Sequence, residues 1–412
     1  MPAVIPFPGP HGDSAERRRI AESLDESLLV EAAAGTGKTT ELIRRIVAVL
    51  RTGRAAAERL VAVTFTRKAA GELKLRLRQK LDEELTAARR DRPNTGDVEH
   101  LEQAIKDLEK AHIGTIHSFC AELLRSRPVE ANVDPAFQEL SEREARRLYH
   151  QAFQRWSQEQ LSVSPPGLSR CLSRLAARAS SDGSSPLDQV ELAGWSLSQW
   201  RDYEREWQRR PLDRAGTIDR LMEDVFRLAD LAGRGRRSTD ELVQALRPAV
   251  DLKTWTERFE AAAARDYDAL EGRLLVFLAE LRKNTKTGRG SFADGLKRED
   301  ALAARAAVIQ ALEDFKDAAD ADLAALLQSE MRELVERYET VKRRRGALDF
   351  VDLLLKARDL VGKQPAVRRY FQEQFTHIFV DEFQDTDPLQ AELLLLLAAD
   401  DPAEEDWLNV TP

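Results

Sequence analysis

The chain has 412 residues, 42% of them hydrophobic and 33% charged, with a net charge of −8. That length exceeds what one core usually supports, and the composition excludes a disordered or membrane-embedded chain, so two or three helix-rich globular domains are expected. The acidic balance argues against a nucleic-acid binder that uses its whole surface, but leaves room for a local groove.

Residues Ser27 to Glu31 read as a short strand. It leads into Ala32-Ala33-Ala34-Gly35-Thr36-Gly37-Lys38-Thr39-Thr40, after which Leu42, Ile43, Ile46, Val47 and Leu50 recur at helical spacing. Strand, glycine-containing loop and helix in that order make a phosphate-binding loop. Small residues let successive backbone N–H groups close around a phosphate, with Gly35 and Gly37 giving the closest approach. Lys38 supplies charge for the β- and γ-phosphates, and the Thr39 hydroxyl a ligand for Mg²⁺. The usual first glycine is Ala32 here, a mild change because alanine is also small. Residues Ala32 to Thr40 are therefore the expected ATP-binding segment.

A second strand is expected over Leu60 to Phe65, followed by a charged helix from Lys68. A third strand, Ile113 to Ile116, leads into Ser118 to Arg125. Strands alternating with helices predict a parallel sheet covered on both faces. From Ser141 to Arg345 no strand signal stands out. Ala145, Leu148, Ala152, Phe153 and Trp156 show helical spacing, and Ala321 to Tyr338 is helix-like too. Two breaks are expected, at Ser162 to Ser185 and at Asn284 to Gly295. The reading is an all-helical insertion, with domain segments 1–140, 141–345 and 346–412.

Near the end, a strand ending at Val380 precedes Asp381-Glu382-Phe383-Gln384-Asp385. The carboxyl end of a strand is where α/β sheets bind ligands. Asp381 is expected to hold Mg²⁺ together with Thr39, since Mg²⁺ takes one or two carboxylates plus phosphate oxygens and water. Glu382 fits a general base for the attacking water, and Gln384 a group that orients that water or senses the γ-phosphate. Leu393 to Ala399 is too short to span a bilayer and reads as a buried helix. Met1 to Pro10 shows no signal-peptide pattern. Cys120 and Cys171 are the only cysteines; they fit a reducing cytoplasm and cannot build a disulfide framework or a zinc site by themselves.

Taken together these motifs resemble the UvrD/Rep helicases of superfamily 1, most closely the AddA and RecB-like branch. Val30 to Thr40 resembles that branch's motif I and Thr64-Phe65-Thr66-Arg67-Lys68-Ala69-Ala70-Gly71-Glu72-Leu73 its motif Ia. Gly114-Thr115-Ile116-His117-Ser118-Phe119-Cys120 resembles motif Ib. Asp381 to Thr386, with Gln390 beyond, resembles motif II, and Leu348 to Leu354 a segment that precedes it. The matches run in family order from about residue 13 to 400.

The resemblance implies an α/β, RecA-like P-loop NTPase domain, called 1A, carrying a helical 1B insertion, with ATP and Mg²⁺ as cofactors. It implies ATP-driven translocation on single-stranded DNA and duplex unwinding in repair or recombination, and a further partner in the form of a nuclease or helicase subunit. It also implies that Thr64, Phe65, Thr66, Lys68, Thr115, His117, Ser118 and Phe119 line the DNA groove. Two departures stand out. The family's adenine-reading glutamine would fall between Asp13 and Arg19, where Glu16 stands near its place. Motif III and a second motor domain with its arginine finger do not follow within these residues. A truncated motor, weakly active or inactive alone, is therefore expected, with a gap in the middle of the sheet between the P-loop strand and the strand that carries motif II. The alternative readings are a non-catalytic nucleotide- or DNA-binding module that docks a nuclease or helicase partner, and a small-molecule kinase, for which no acceptor site is evident.

Overall fold

The computed structural model describes residues 3–5, 13–33, 35–92, 95–177, 184–203, 205–283, 288–293 and 295–412. In chain order the elements are β1 (Ala3–Ile5), α1 (Asp13–Glu22), β2 (Leu28–Val30), α2 (Lys38–Arg51), β3 (Leu60–Thr64), α3 (Arg67–Asp91), α4 (Gly96–Asp107), β4 (His112–Thr115), α5 (Ile116–Ser126) and β5 (Gln138–Glu139). There follow α6 (Glu142–Val163), α7 (Pro166–Ala177), α8 (Pro186–Gln199), α9 (Arg214–Arg234), α10 (Glu241–Ala262), α11 (Tyr267–Lys283) and α12 (Arg298–Arg344). The last are β6 (Ala347–Leu348), α13 (Phe350–Lys363), α14 (Pro365–Gln374), β7 (His377–Val380) and α15 (Pro388–Ala398). The chain divides into two compact units: Met1–Arg143 with Arg343–Pro412, and Glu144–Lys342.

Among the described residues of the first unit every ladder is parallel, as the alternation of strands and helices leads one to expect. The strands do not join into one sheet, however. β4, β3 and β7 form a three-stranded sheet in that order, β2 pairs with β1, and β5 pairs with β6. Strand β2 therefore lies outside the sheet that carries β7, and its Leu29 and Val30 side chains stay exposed.

The central strand β3 shows why both faces of the sheet are covered. All five of its residues are buried. Val61 and Val63 pack into a core with residues of α5, α13, α14 and α15, whereas Leu60 and Ala62 pack into a second core with α2, α3 and α4. A period-2 strand with apolar residues on both faces reads as a continuous apolar run, and that is its sequence. The helices start where local chemistry dictates. Thr66 caps α3, its hydroxyl accepting from the Ala69 amide at 3.1 Å. Asp349 and Asp352 exchange side-chain and backbone bonds of 2.9 and 3.0 Å at the start of α13.

The second unit contains helices and, among the described residues, only an isolated bridge between Ala293 and Leu296. The expected break at Ser162 to Ser185 is corrected: α7 lies inside it. Its first turn is capped from afar, the Glu330 carboxylate accepting from the Gly167 and Leu168 amides at 2.6 and 2.8 Å. A cap supplied from 163 positions away leaves no local signal. Of the second expected break, residues 284–287 and 294 lie outside the described residues; 288–293 and Gly295 separate α11 from α12.

Helix α7 also carries Arg170, which is 2% exposed and donates to Glu271 at 2.9 Å, Asp322 at 2.6 Å and the Ala319 carbonyl at 2.9 Å. Glu271, fully buried, is shared with Arg174 and Arg214. Removing one partner from such a network strands charge in a low-dielectric interior. Glu271→Ala is therefore expected to destabilise the protein by about 3–5 kcal/mol, read as a lower midpoint in denaturant unfolding. An unchanged midpoint would show that the arginines find water instead.

Candidate nucleotide-binding site and DNA-facing surface

The two sequence motifs expected to form the site are 342 positions apart and meet in space. The Thr39 hydroxyl lies 3.2 and 3.4 Å from the two carboxylate oxygens of Asp381. Lys38 Nζ donates to the Ala32 carbonyl at 3.2 Å and lies 3.9 Å from Glu382 Oε2. The backbone explains the convergence. Gly35 and Gly37 take φ of 79° and 93°, a left-handed region open to glycine at little cost, and Gly37 is the residue from which α2 starts. Lys38 and Thr39 thus sit on the first turn, at the positive end of the helix. On the other side the Asp381 amide donates to Val63 O at 3.0 Å, prolonging the β3–β7 ladder by one step and fixing Asp381 at the strand's carboxyl end.

Within the loop, the Ala33 carbonyl accepts from the Thr36 hydroxyl at 2.7 Å, and Thr40 is exposed on α2. Ala34 lies outside the described residues. Gln384 is exposed and its side-chain amide donates to Glu382. Glu382 itself has φ 56° and ψ 45°, a left-handed conformation that costs a non-glycine residue about 1–2 kcal/mol. The turn is held by the bond from the Asp385 amide to the Glu382 carbonyl at 2.9 Å. Strain of this kind is concentrated at functional sites.

Partial burial is the largest influence on Asp381 and raises its carboxyl above the usual range. The Thr39 hydroxyl opposes the rise, Glu382 adds to it, and Lys38 pulls the other way. A hydroxyl and a carboxylate converging at one point are hard oxygen donors suited to Mg²⁺, which keeps further positions for phosphate and water. The glycine turns and the helix start suit a polyphosphate. The residues present therefore fit both groups.

The expected DNA-facing residues sort into three kinds. Strands β3 and β4 pair in register at Thr64 and Thr115, so the segments that follow them emerge side by side. Phe65 is 59% exposed, and Thr66, Lys68 and Ser118 are exposed as well. Thr64 and Thr115 are buried and their hydroxyls are already engaged. Thr64 donates to the Thr66 carbonyl at 3.1 Å, and Thr115 caps α5 by accepting from the Ser118 amide at 3.2 Å. Phe119 requires a correction. It is 3% exposed, in the core with its ring 5.4 Å from Phe375, because α5 turns that face inward. It offers no side-chain surface to a strand of DNA.

Sequence reasoning gave no role to two further residues. Phe350, the first residue of α13, is 42% exposed with its ring 5.1 Å from that of His117. The pair makes an aromatic shelf beside Ser118. Burial is the main influence on His117 and lowers its pKa, with Asp387 and Glu139 opposing, which favours the neutral form of the ring that faces Phe350. The second is Arg17, on α1. Its guanidinium donates to the Thr36 carbonyl at 3.0 Å and to the buried carboxylate of Glu41 at 2.6 Å. The sequence shows only a run of three arginines there, and no local pattern selects the middle of the loop as its target. Next to it, Glu16 Oε2 is buried and has no hydrogen-bond partner among the described residues.

The chain is 26% identical to an ATP-dependent helicase/nuclease subunit of Bacillus pumilus, over 97% of this chain and 35% of that protein. It is 26% identical to the protein of that name from Pediococcus pentosaceus, over 94% and 33%, and 25% identical to that from Syntrophomonas wolfei, over 94% and 32%. The chain thus spans about a third of the length of these curated relatives. No helix among the described residues is long and apolar enough to cross a membrane. The model of the UvrD/REP helicase N-terminal domain matches residues 13–405, from the helix bearing Glu16 and Arg17 to beyond the acidic box, and the chain belongs to that family.

Proposed function

We propose that this chain is the ATP-binding motor portion of a UvrD-like DNA helicase, in which ATP hydrolysis drives translocation on single-stranded DNA and duplex unwinding during repair and recombination. Its first unit is read as a RecA-like domain 1A and its second as a 1B-type insertion. The observation that carries this reading is the meeting of Lys38 and Thr39 with Asp381 and Glu382, in a unit whose strand β3 leads into the exposed Phe65. Names of the relatives, helicase/nuclease subunits that use ATP, support it. A nuclease or helicase subunit is the partner that those names suggest.

In this reading the loop amides and Lys38 grip the β- and γ-phosphates, while Thr39 and Asp381 hold Mg²⁺. The bound Mg²⁺–ATP supplies the phosphoanhydride and the neutralisation of its charge. Glu382 accepts a proton from the attacking water, and Gln384, bonded to Glu382, orients the two. Phe65 and the His117–Phe350 shelf stack bases, and Lys68, Thr66 and Ser118 hold phosphates.

The test is nucleotide-dependent DNA affinity. The 412-residue chain is expected to bind a fluorescent ATP analogue only with Mg²⁺ present, and its affinity for a dT oligomer should shift with nucleotide. Lys38→Ala should remove both effects. DNA affinity indifferent to ATP, and unchanged by Lys38→Ala, would favour a non-catalytic docking module instead.

The DNA surface carries its own prediction. Phe65→Ala and Phe350→Ala should each weaken oligomer binding by about 1–3 kcal/mol, the worth of a lost base stack. Phe119→Ala should leave the affinity of the folded protein unchanged and lower its stability by about 3–5 kcal/mol. Fluorescence anisotropy and denaturant titration on the same variants separate the two effects.

A further inference from the structure

The geometry points to Arg17 as a positioning residue that sets phosphate affinity by aiming one backbone amide of the loop. This inference rests on the ATP-binding reading above and adds a residue that the motif residues do not include. One arm of the guanidinium holds the Thr36 carbonyl at 3.0 Å, and the other holds Glu41 Oε1 at 2.6 Å. Peptide bonds are planar and trans, and no cis bond occurs among the described residues, so the carbonyl of Thr36 and the N–H of Gly37 point in opposite directions. Pinning Thr36 O towards α1 turns the Gly37 N–H away from Arg17. Among the described residues that N–H has no hydrogen-bond partner, and it belongs to the residue immediately before Lys38.

Without this restraint the peptide between Thr36 and Gly37 would have freedom to rotate. Thr36 is tied otherwise by its own amide and hydroxyl to Ala33, bonds that leave its carbonyl unfixed. Glu41 is what makes the restraint stiff. It lies in the first turn of α2, is 6% exposed, and also accepts from Arg44 at 2.9 Å. A buried carboxylate this close to a phosphate-binding loop would repel the ligand if it stood alone. Flanked by two guanidiniums it becomes a fixed anchor for Arg17. The fork of the guanidinium is what allows one side chain to reach a carbonyl and a carboxylate at once, and a lysine ammonium does not reproduce that geometry.

The experiment separates the loop from the rest of the nucleotide. The probes are a fluorescent ATP analogue and inorganic tripolyphosphate, which has the phosphates and no base, measured on the full 412-residue chain in Mg²⁺. For Arg17→Ala the dissociation constants of both probes should rise together by about 10-fold, the scale of one charge-assisted hydrogen bond. Turnover at saturating ATP should stay within about 3-fold, because the amide acts on binding and Glu382 on the chemistry. Arg17→Lys should behave like Arg17→Ala and not like the parent, and is read in its place if the alanine variant does not fold. A rise for the ATP analogue with tripolyphosphate binding unchanged would place Arg17 at the base and overturn the inference. So would no change for either probe, or a full rescue by lysine. Absence of nucleotide binding by the parent chain would instead sink the ATP-binding reading itself.

Discussion

Replacing Glu382 with glutamine is expected to slow ATP hydrolysis by about 10²–10⁴-fold, the usual worth of a positioned general base, while Mg²⁺–ATP affinity stays within a few-fold. The two effects separate because Glu382 and its neighbour do different work. Asp381 points its carboxylate at the Thr39 hydroxyl, whereas Glu382 lies across from Lys38 and carries the Gln384 amide. Glutamine keeps the size of the side chain and its ability to accept a bond, and removes only its ability to take a proton. Single-turnover hydrolysis and equilibrium nucleotide binding on the same preparation check this. Where the parent chain hydrolyses ATP measurably, an unchanged rate in the variant would remove Glu382 from the chemistry. A matching loss of affinity would make it a binding group instead.

Asp381→Asn should act in two opposite directions. It removes the carboxylate from the Mg²⁺ pair. Loss of a ligand costs at least as much as loss of the groups that merely orient ligands, so a fall of about 100-fold or more in Mg²⁺-dependent nucleotide affinity is expected. Yet in the absence of metal and nucleotide the variant should be the more stable protein at neutral pH. Burial holds the native pKa of Asp381 above its unfolded value near 3.9. The fold therefore favours the protonated carboxyl. That contribution is fully present below the unfolded pKa and is lost as pH rises through the native one. At pH 7 the ionised carboxylate burdens the metal-free fold, and a neutral amide relieves it. Thermal unfolding in EDTA should show Asp381→Asn melting above the parent at pH 7, with the gap narrowing as pH falls towards 4. A variant that melts below the parent at pH 7 would mean that the bond to Thr39 outweighs the burial.

Both predictions concern residues that the sequence marks plainly, and the reason is local. A loop of small residues between a strand and a helix, and an acidic pair just past an apolar run, need no distant information to recognise. Strands β2, β3, β4 and β7 were legible for the same reason, with ends displaced by about a residue: Phe65 and Ile116 fall outside β3 and β4, whereas the short β1, β5 and β6 were not expected at all. What escaped depends on contacts between distant positions. Helix α7 is capped by Glu330, Arg17 reaches across to Thr36, and Phe350 gains its place from His117. Phe119 was misread because motif Ib runs from the end of a strand into a helix. One turn of α5 sets Ser118 outward and Phe119 inward, and only the packing against Phe375 decides which is which. The division of the strands into three separate sheets was hidden too, since pairing partners are not written in the strands themselves.

The pairing of Thr39 with Asp381 across 342 positions also dictates an order of events as the chain is made. At ribosomal speeds of about 5–20 residues per second, on the order of half a minute passes between the emergence of the two. During that interval β3, which is buried on both faces in the finished protein, has β4 on one side and an open edge where β7 will dock. The whole of Glu144–Lys342 is synthesised meanwhile. Its helices can form from local contacts, and the β5–β6 ladder then clasps the points where the chain leaves and re-enters the first unit, shortening the loop that β7 must close. Slow folding or loss of the helical unit would thus lengthen the exposure of an apolar strand edge. Aggregation of the nascent chain would then be a consequence of damage far in sequence from the nucleotide site.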